Sequence, residues 1–141
     1  GELFSALSSS GTLAQLMSGH GDDAEAFTAG LQRSGMDKAA GGLTHALFGV
    51  RTLGLFGRFK PEQLSSYLSG LLIGTEFADA LAWAGRARPI FAMGSPQLLT
   101  HYQRAAAHFV VALRVLDSTQ LVVGALFAIA RSAGLLAKPK E

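Results

Sequence analysis

Apolar residues recur along this chain at two different periods, and the change from one to the other divides it. Up to residue 84 the spacing is helical. Leu3, Phe4 and Leu7 share one face of a helical stretch within 1–17, which Ser8-Ser9-Ser10-Gly11 breaks. Asp22-Asp23 offers an N-cap and a negative first turn to a helix running to about Ser34, with Gly35 as its C-cap. Gly41-Gly42 interrupts the chain. Residues 43–56 then carry apolar side chains on nearly every side, which predicts a largely buried helix closed by Gly57. Pro61 suits a first helical position and opens, with Glu62, a long helix reaching about Trp83. Gly70 and Gly74 lie one turn apart on it and leave a bare strip that another backbone can approach.

After Gly85 the pattern changes. Pro89-Ile90-Phe91-Ala92-Met93 is a short continuous apolar run, the mark of a buried strand. Gly94-Ser95-Pro96 predicts a turn and a helix start, and Leu98, Leu99, Tyr102 and Ala106 carry that helix to about His108. A second β-rich run covers 109–116, with Val110, Val111, Leu113 and Val115. Asp117 or Ser118 caps a last helix that includes Gly124 and ends near Gly134, and the tail at 138–141 is polar and expected to be loose. Residues 1–84 are thus expected to be mainly helical and 85–137 to run strand, helix, strand, helix. This alternation indicates an α/β layer, helix-rich, with a small and mostly parallel sheet. Two strands are too few for a sheet of ordinary size, so further strands are expected from sequence preceding Gly1.

Composition narrows the function classes. Of 141 residues, 49% are hydrophobic and 16% charged, enough apolar material for a core and against disorder. The formal net charge is +2 with scattered Lys and Arg, and no basic run interleaved with aromatics argues for nucleic acid. There is no Cys, which excludes disulfides and thiolate-held zinc and is compatible with a reducing cytoplasm. The apolar run 121–130 is too short for a membrane span and ends at Arg131, while Glu76 and Asp79 interrupt 68–84. Both are expected to be buried helices of a soluble protein. The start at Gly1 lacks a charged segment of signal-peptide type and suggests an excised or processed fragment.

Candidate chemistry is sparse. In Gly94-Ser95-Pro96 a strand end, a glycine and a helix N-terminus meet, the kind of place where α/β folds bind nucleotides. A plain Ser95 N-cap explains the same residues, and from the sequence both readings stand. Gly74 either lets its helix pass close to a nucleotide or packs tightly on a neighbour. Arg51, Glu76 and Asp79 are polar groups in apolar helices and must find partners or face solvent. An Arg51 contact to a carboxylate is one such pairing. His101 and His108 are seven apart on one helix face, about 10 Å from each other, too far to share a metal. No Ser/His/Asp arrangement is legible, Asp117 suits a cap better than a base, and no residue stands out as catalytic.

Two longer motifs carry a resemblance. Phe48-Gly49-Val50-Arg51-Thr52-Leu53-Gly54-Leu55-Phe56-Gly57 and Tyr67-Leu68-Ser69-Gly70-Leu71-Leu72-Ile73-Gly74-Thr75-Glu76 resemble stretches of 2-dehydro-3-deoxygalactonokinases at that family's usual spacing. Gly1-Glu2-Leu3-Phe4, Ala92-Met93-Gly94-Ser95-Pro96 and the last helix are similar to further parts of the same family, so the likeness covers almost the whole chain. The resemblance implies the C-terminal part of an actin-like, hexokinase-like (RNase H-like) sugar kinase fold. It implies a cytoplasmic enzyme that phosphorylates 2-dehydro-3-deoxy-D-galactonate at its 6-hydroxyl, with ATP and Mg2+. It implies an adenosine contact at the Gly94-Ser95 turn; Gly74 is a further candidate nucleotide residue, with tight packing as its other reading, and Arg51 a candidate for the sugar-acid carboxylate or for a carboxylate of the protein. On this resemblance the N-terminal domain, with a first phosphate loop and the general base, and a second phosphate motif expected before Gly1 lie outside this sequence, so this stretch alone is expected to be inactive and prone to self-association. The rival readings are a non-catalytic helical interaction module and a kinase of the same fold acting on another sugar.

Overall fold

The computed structural model describes residues 1–19, 21–35 and 41–135; the polar tail at 138–141 lies outside the described residues. Its elements are α1 (Glu2–Ser9), α2 (Gly11–Ala14), α3 (Ala24–Ser34), α4 (Gly42–Leu55), α5 (Pro61–Ala84), β1 (Ile90–Ala92), α6 (Pro96–Phe109), β2 (Leu113–Val115) and α7 (Ser118–Ser132). The helix starts follow side-chain chemistry. The Ala26 N–H donates to Asp23 Oδ1 at 2.8 Å, the Leu98 N–H to Ser95 Oγ at 3.3 Å, and the Gln120 N–H to Asp117 Oδ1 at 3.0 Å. Each bond satisfies a donor that the helix itself leaves open. Pro61 occupies the first turn of α5, where its missing N–H costs nothing.

The 24-residue α5 is the axis of the molecule. It crosses α3 at backbone contact. A Cβ on Gly70 would land on the Phe27 carbonyl oxygen, and one on Gly30 on the Tyr67 carbonyl oxygen. Only glycine permits that approach. The bare strip expected at Gly70 and Gly74 is real, and α3 fills it, with Ser34 lying where a Gly74 side chain would be.

Both helices contribute to two core clusters. Ala26, Leu64, Tyr67, Leu68 and Leu71 join Ala46 and Val50 of α4 in one, with α1 and α2 packed against it. Phe27, Leu31, Ile73 and Phe77 join Ala105 and Ala106 of α6 in the other. The two strands run parallel in the register Ile90↔Leu113, Phe91↔Arg114 and Ala92↔Val115. Ile90 and Leu113 pack on the second cluster, whereas Phe91 and Met93 stay exposed.

Three expectations need correction. α4 buries only Ala46 and Val50, and Phe48 and Phe56 stand 71% and 78% exposed. α7 buries no residue. An all-round apolar pattern signals a helix made to be covered, and here one side of α4 and most of α7 stand exposed among the described residues. The second strand is also shorter than the run at 109–116. Phe109 stays in α6, where it stacks on Phe77 at 5.7 Å, and Val110 ends the helix in the left-handed region at φ 54°. At the far end of α5, Trp83 is 90% exposed. Among the described residues no helix is long and apolar enough to cross a membrane.

Candidate functional site

A cleft of about 700 Å³ runs along one face of α5, against α6 and the loop that leads into α3. Ser65, Ser69, Ile73 and Glu76 line it from α5, Ser95, Leu98, His101 and Tyr102 from α6 and its cap, and Gly21 and Asp22 from the loop.

A serine pair holds the loop in place. Gly21 N–H donates to Ser65 Oγ at 3.1 Å, Asp23 N–H to Ser66 Oγ at 3.0 Å, and Ser66 Oγ donates to the Gly21 carbonyl at 2.7 Å. Both hydroxyls are buried, and each bond removes the cost of an unsatisfied polar group. Gln63 Nε2 donates to Asp23 Oδ2 at 2.9 Å, so one carboxylate caps α3 and ties it to α5. These two bonds hold the Asp23 carboxyl below its ordinary range, the Ala26 N–H contributing most.

Asp22 is thereby turned away from the cap and meets Arg104 of α6 at 2.7 Å. The guanidinium depresses its pKa by hydrogen bonding and by charge. One turn away, His101 stacks on Phe27 with ring centroids 4.9 Å apart, and its Nδ1 is buried with no hydrogen-bond partner. Burial lowers the pKa of this imidazole, Asp22 opposes the shift and Arg104 adds to it. A neutral ring with its proton on Nε2 suits that setting. Farther along, Tyr102 Oη donates to Glu76 Oε2 at 2.5 Å, and burial, with this bond and the carboxylate charge, pushes the phenol upward.

The residues singled out in the sequence divide. Ser95 lines the cleft and caps α6. Gly94 adjoins it. A Cβ there would come within 3.2 Å of Leu98 Cδ2 and would meet no backbone atom. Gly74 faces α3, and Arg51 is exposed on α4; neither lines the cleft. The sequence reading missed Asp22, His101, Arg104 and Tyr102. One signal was present: of two adjacent aspartates only one can cap a helix, which left Asp22 for another partner. Among the described lining residues are Asp22, Glu76 and Asp79 but no Lys or Arg. Of these, Asp22 is neutralised by Arg104 and Glu76 accepts from the Tyr102 hydroxyl. No group of three metal-ligating side chains occurs among the described residues.

Comparison with known proteins gives this geometry a context. A curated 2-dehydro-3-deoxygalactonokinase of Escherichia coli (strain K12) is 38% identical over 84 residues, which are 60% of this chain and 28% of that protein. A crystal structure of a candidate 2-dehydro-3-deoxygalactonokinase from Sinorhizobium meliloti superposes with a TM-score of 0.82 at 31% identity, covering 96% of this chain and 46% of that one. The chain therefore spans less than half the length of either relative. The sequence profile of the 2-keto-3-deoxy-galactonokinase family matches residues 1–129, the region that holds the α3–α5 crossing, the cleft and the Gly94-Ser95 turn. The chain belongs to the 2-keto-3-deoxy-galactonokinase family.

Proposed function

We propose that the chain forms the ATP-binding, C-terminal portion of a cytoplasmic kinase of actin-like, RNase H-like fold. The enzyme transfers the γ-phosphoryl group of ATP to the 6-hydroxyl of 2-dehydro-3-deoxy-D-galactonate. In this reading 1–84 is a helical part and 85–137 the nucleotide side. One observation carries it. Two residues past β1 stands Gly94, where a side chain would strike no backbone atom, followed by a serine-capped helix whose first turn opens on the cleft. A bare backbone at the end of a strand and the Gln97 N–H, which neither the Ser95 cap nor Pro96 takes up, are what a nucleoside needs for close approach.

In this reading the ribose and base lie against the Gly94-Ser95 turn, with the phosphates and their Mg2+ held beyond the cleft. Mg2+ commonly rides on substrate phosphates with few protein ligands, which suits a chain whose described residues gather no metal-binding set. Arg51, exposed on α4, remains the group offered to the sugar-acid carboxylate, and Gly74 supports the nucleotide side through the α3–α5 packing. Phosphoryl transfer rests on positioning and charge neutralisation, and the loops that supply these lie in the rest of a full-length family member.

The test is phosphoryl transfer by the full-length protein that carries this chain, with ATP, Mg2+ and a panel of sugar acids. Turnover on 2-dehydro-3-deoxy-D-galactonate above all others supports the proposal. Preference for another sugar would leave the kinase and replace the substrate, and failure to bind ATP would remove both.

A further inference from the structure

We propose that Glu76, held in place by Tyr102, accepts the ribose hydroxyls of the nucleotide and so selects ribonucleotides over their deoxy counterparts. The inference rests on the nucleotide reading of the Gly94-Ser95 turn and adds to it a residue that reads the sugar.

Glu76 stands on a wall shared by two hollows. It lines the cleft of about 700 Å³ together with Ser95. With Leu98 and Tyr102 it also lines a smaller hollow of about 210 Å³ beside the end of β1, which Ala92 and Met93 help to close. A base seated in the smaller hollow brings its sugar to the shared wall and sends the phosphates along the cleft.

The chemistry of that wall suits a diol. The Tyr102 ring packs on Phe77 with centroids 5.7 Å apart, and its hydroxyl donates to Glu76 Oε2 at 2.5 Å. Burial, with this bond and the carboxylate charge, pushes the phenol upward, so it keeps its proton and stays a donor. One carboxylate oxygen is thereby held, and the other accepts from no donor among the described residues. Asp22 differs, because its charge is paired with Arg104. A carboxylate only accepts, and the neighbouring hydroxyls of a ribose are donors at the right spacing for one.

The experiment measures KM for ATP, for 2′,3′-dideoxy-ATP and for inosine triphosphate, which lacks the adenine amino group, in the full-length protein that carries this chain. The parent should hold ATP at least about tenfold more tightly than the dideoxy nucleotide, as hydrogen bonds to a charged acceptor imply. Glu76→Ala should bring the KM for ATP close to that for the dideoxy compound, whose own value should barely move. Glu76→Gln keeps the bond from Tyr102 but turns an amide N–H toward the sugar, and it should lose the preference as well. Tyr102→Phe keeps the ring on Phe77 and should lose part of the preference, whereas a tyrosine of structural role alone would shift both nucleotides equally. Three results overturn the inference while ATP turnover leaves the kinase reading standing: a parent indifferent to the ribose hydroxyls, Glu76 variants that keep the preference, or variants that erase discrimination against inosine triphosphate instead. A parent that binds none of the three nucleotides overturns both.

Discussion

Glycines that look alike in the sequence differ at the level of single residues. Gly70 sits where any Cβ would strike the Phe27 carbonyl, whereas Gly49 of α4 has nothing within 4 Å of its Cβ position. Gly49→Ala should therefore stabilise the chain by up to about 1 kcal/mol through helix propensity. Gly70→Ala should destabilise it by about 1–3 kcal/mol, because two backbones must part. Denaturant melts of the two variants check the opposite signs. Gly94 resembles Gly49 more than Gly70, since its nearest neighbour is the Leu98 side chain, whose Cδ2 stands at 3.2 Å, and not a backbone. Gly94→Val should fold normally and, in the full-length enzyme, raise the KM for ATP while leaving that for the sugar acid nearly unchanged. Ser95→Ala should cost about 1 kcal/mol of cap stability, visible as a lower melting temperature without nucleotide. A Gly94→Val enzyme that binds ATP like the parent would reduce the turn to a helix cap.

Between elements, the decisive contacts join segments far apart in sequence, which explains what the sequence showed and what it hid. Caps at Asp23, Ser95 and Asp117 and the glycine strip of α5 were legible, because each is a local rule of backbone chemistry. The Arg104–Asp22 bridge spans 82 positions and leaves no local trace. The length of the second strand was misread because Phe109 fits a strand by propensity but is claimed by its stack on Phe77. The α3–α6 seam also sets a pH dependence. His101 has a folded pKa below its ordinary 6.5, so it favours the fold when neutral. Its contribution is complete above pH 6.5 and is lost as pH falls through the folded value. Asp22 and Asp23, depressed below 3.8, add a second loss only in stronger acid. The melting temperature should therefore begin to fall as pH drops below 6.5, the upper edge set by the imidazole. His101→Phe, which keeps a ring against Phe27, should flatten that slope. An unchanged slope would move the effect to another histidine.

For the whole molecule, family membership and partial length point the same way. Phosphoryl transfer rests on positioning and charge neutralisation around the phosphates, and this chain spans 46% of the Sinorhizobium meliloti structure. The isolated polypeptide should show no turnover near the ~1–100 s⁻¹ common to kinases, and its open apolar surface should make it associate as concentration rises. A coupled ATP assay and light scattering measure the two; turnover by the isolated chain or a clean monomer at high concentration would contradict them. The position of Trp83 bears on how such experiments are read. It is the one tryptophan in the sequence, and it already stands in water at the end of α5. Its emission in the native chain is that of a solvated indole, so unfolding has little colour left to change. A fluorescence melt would look flat while the core dissolved, and a blue shift would report something coming to rest against the end of α5.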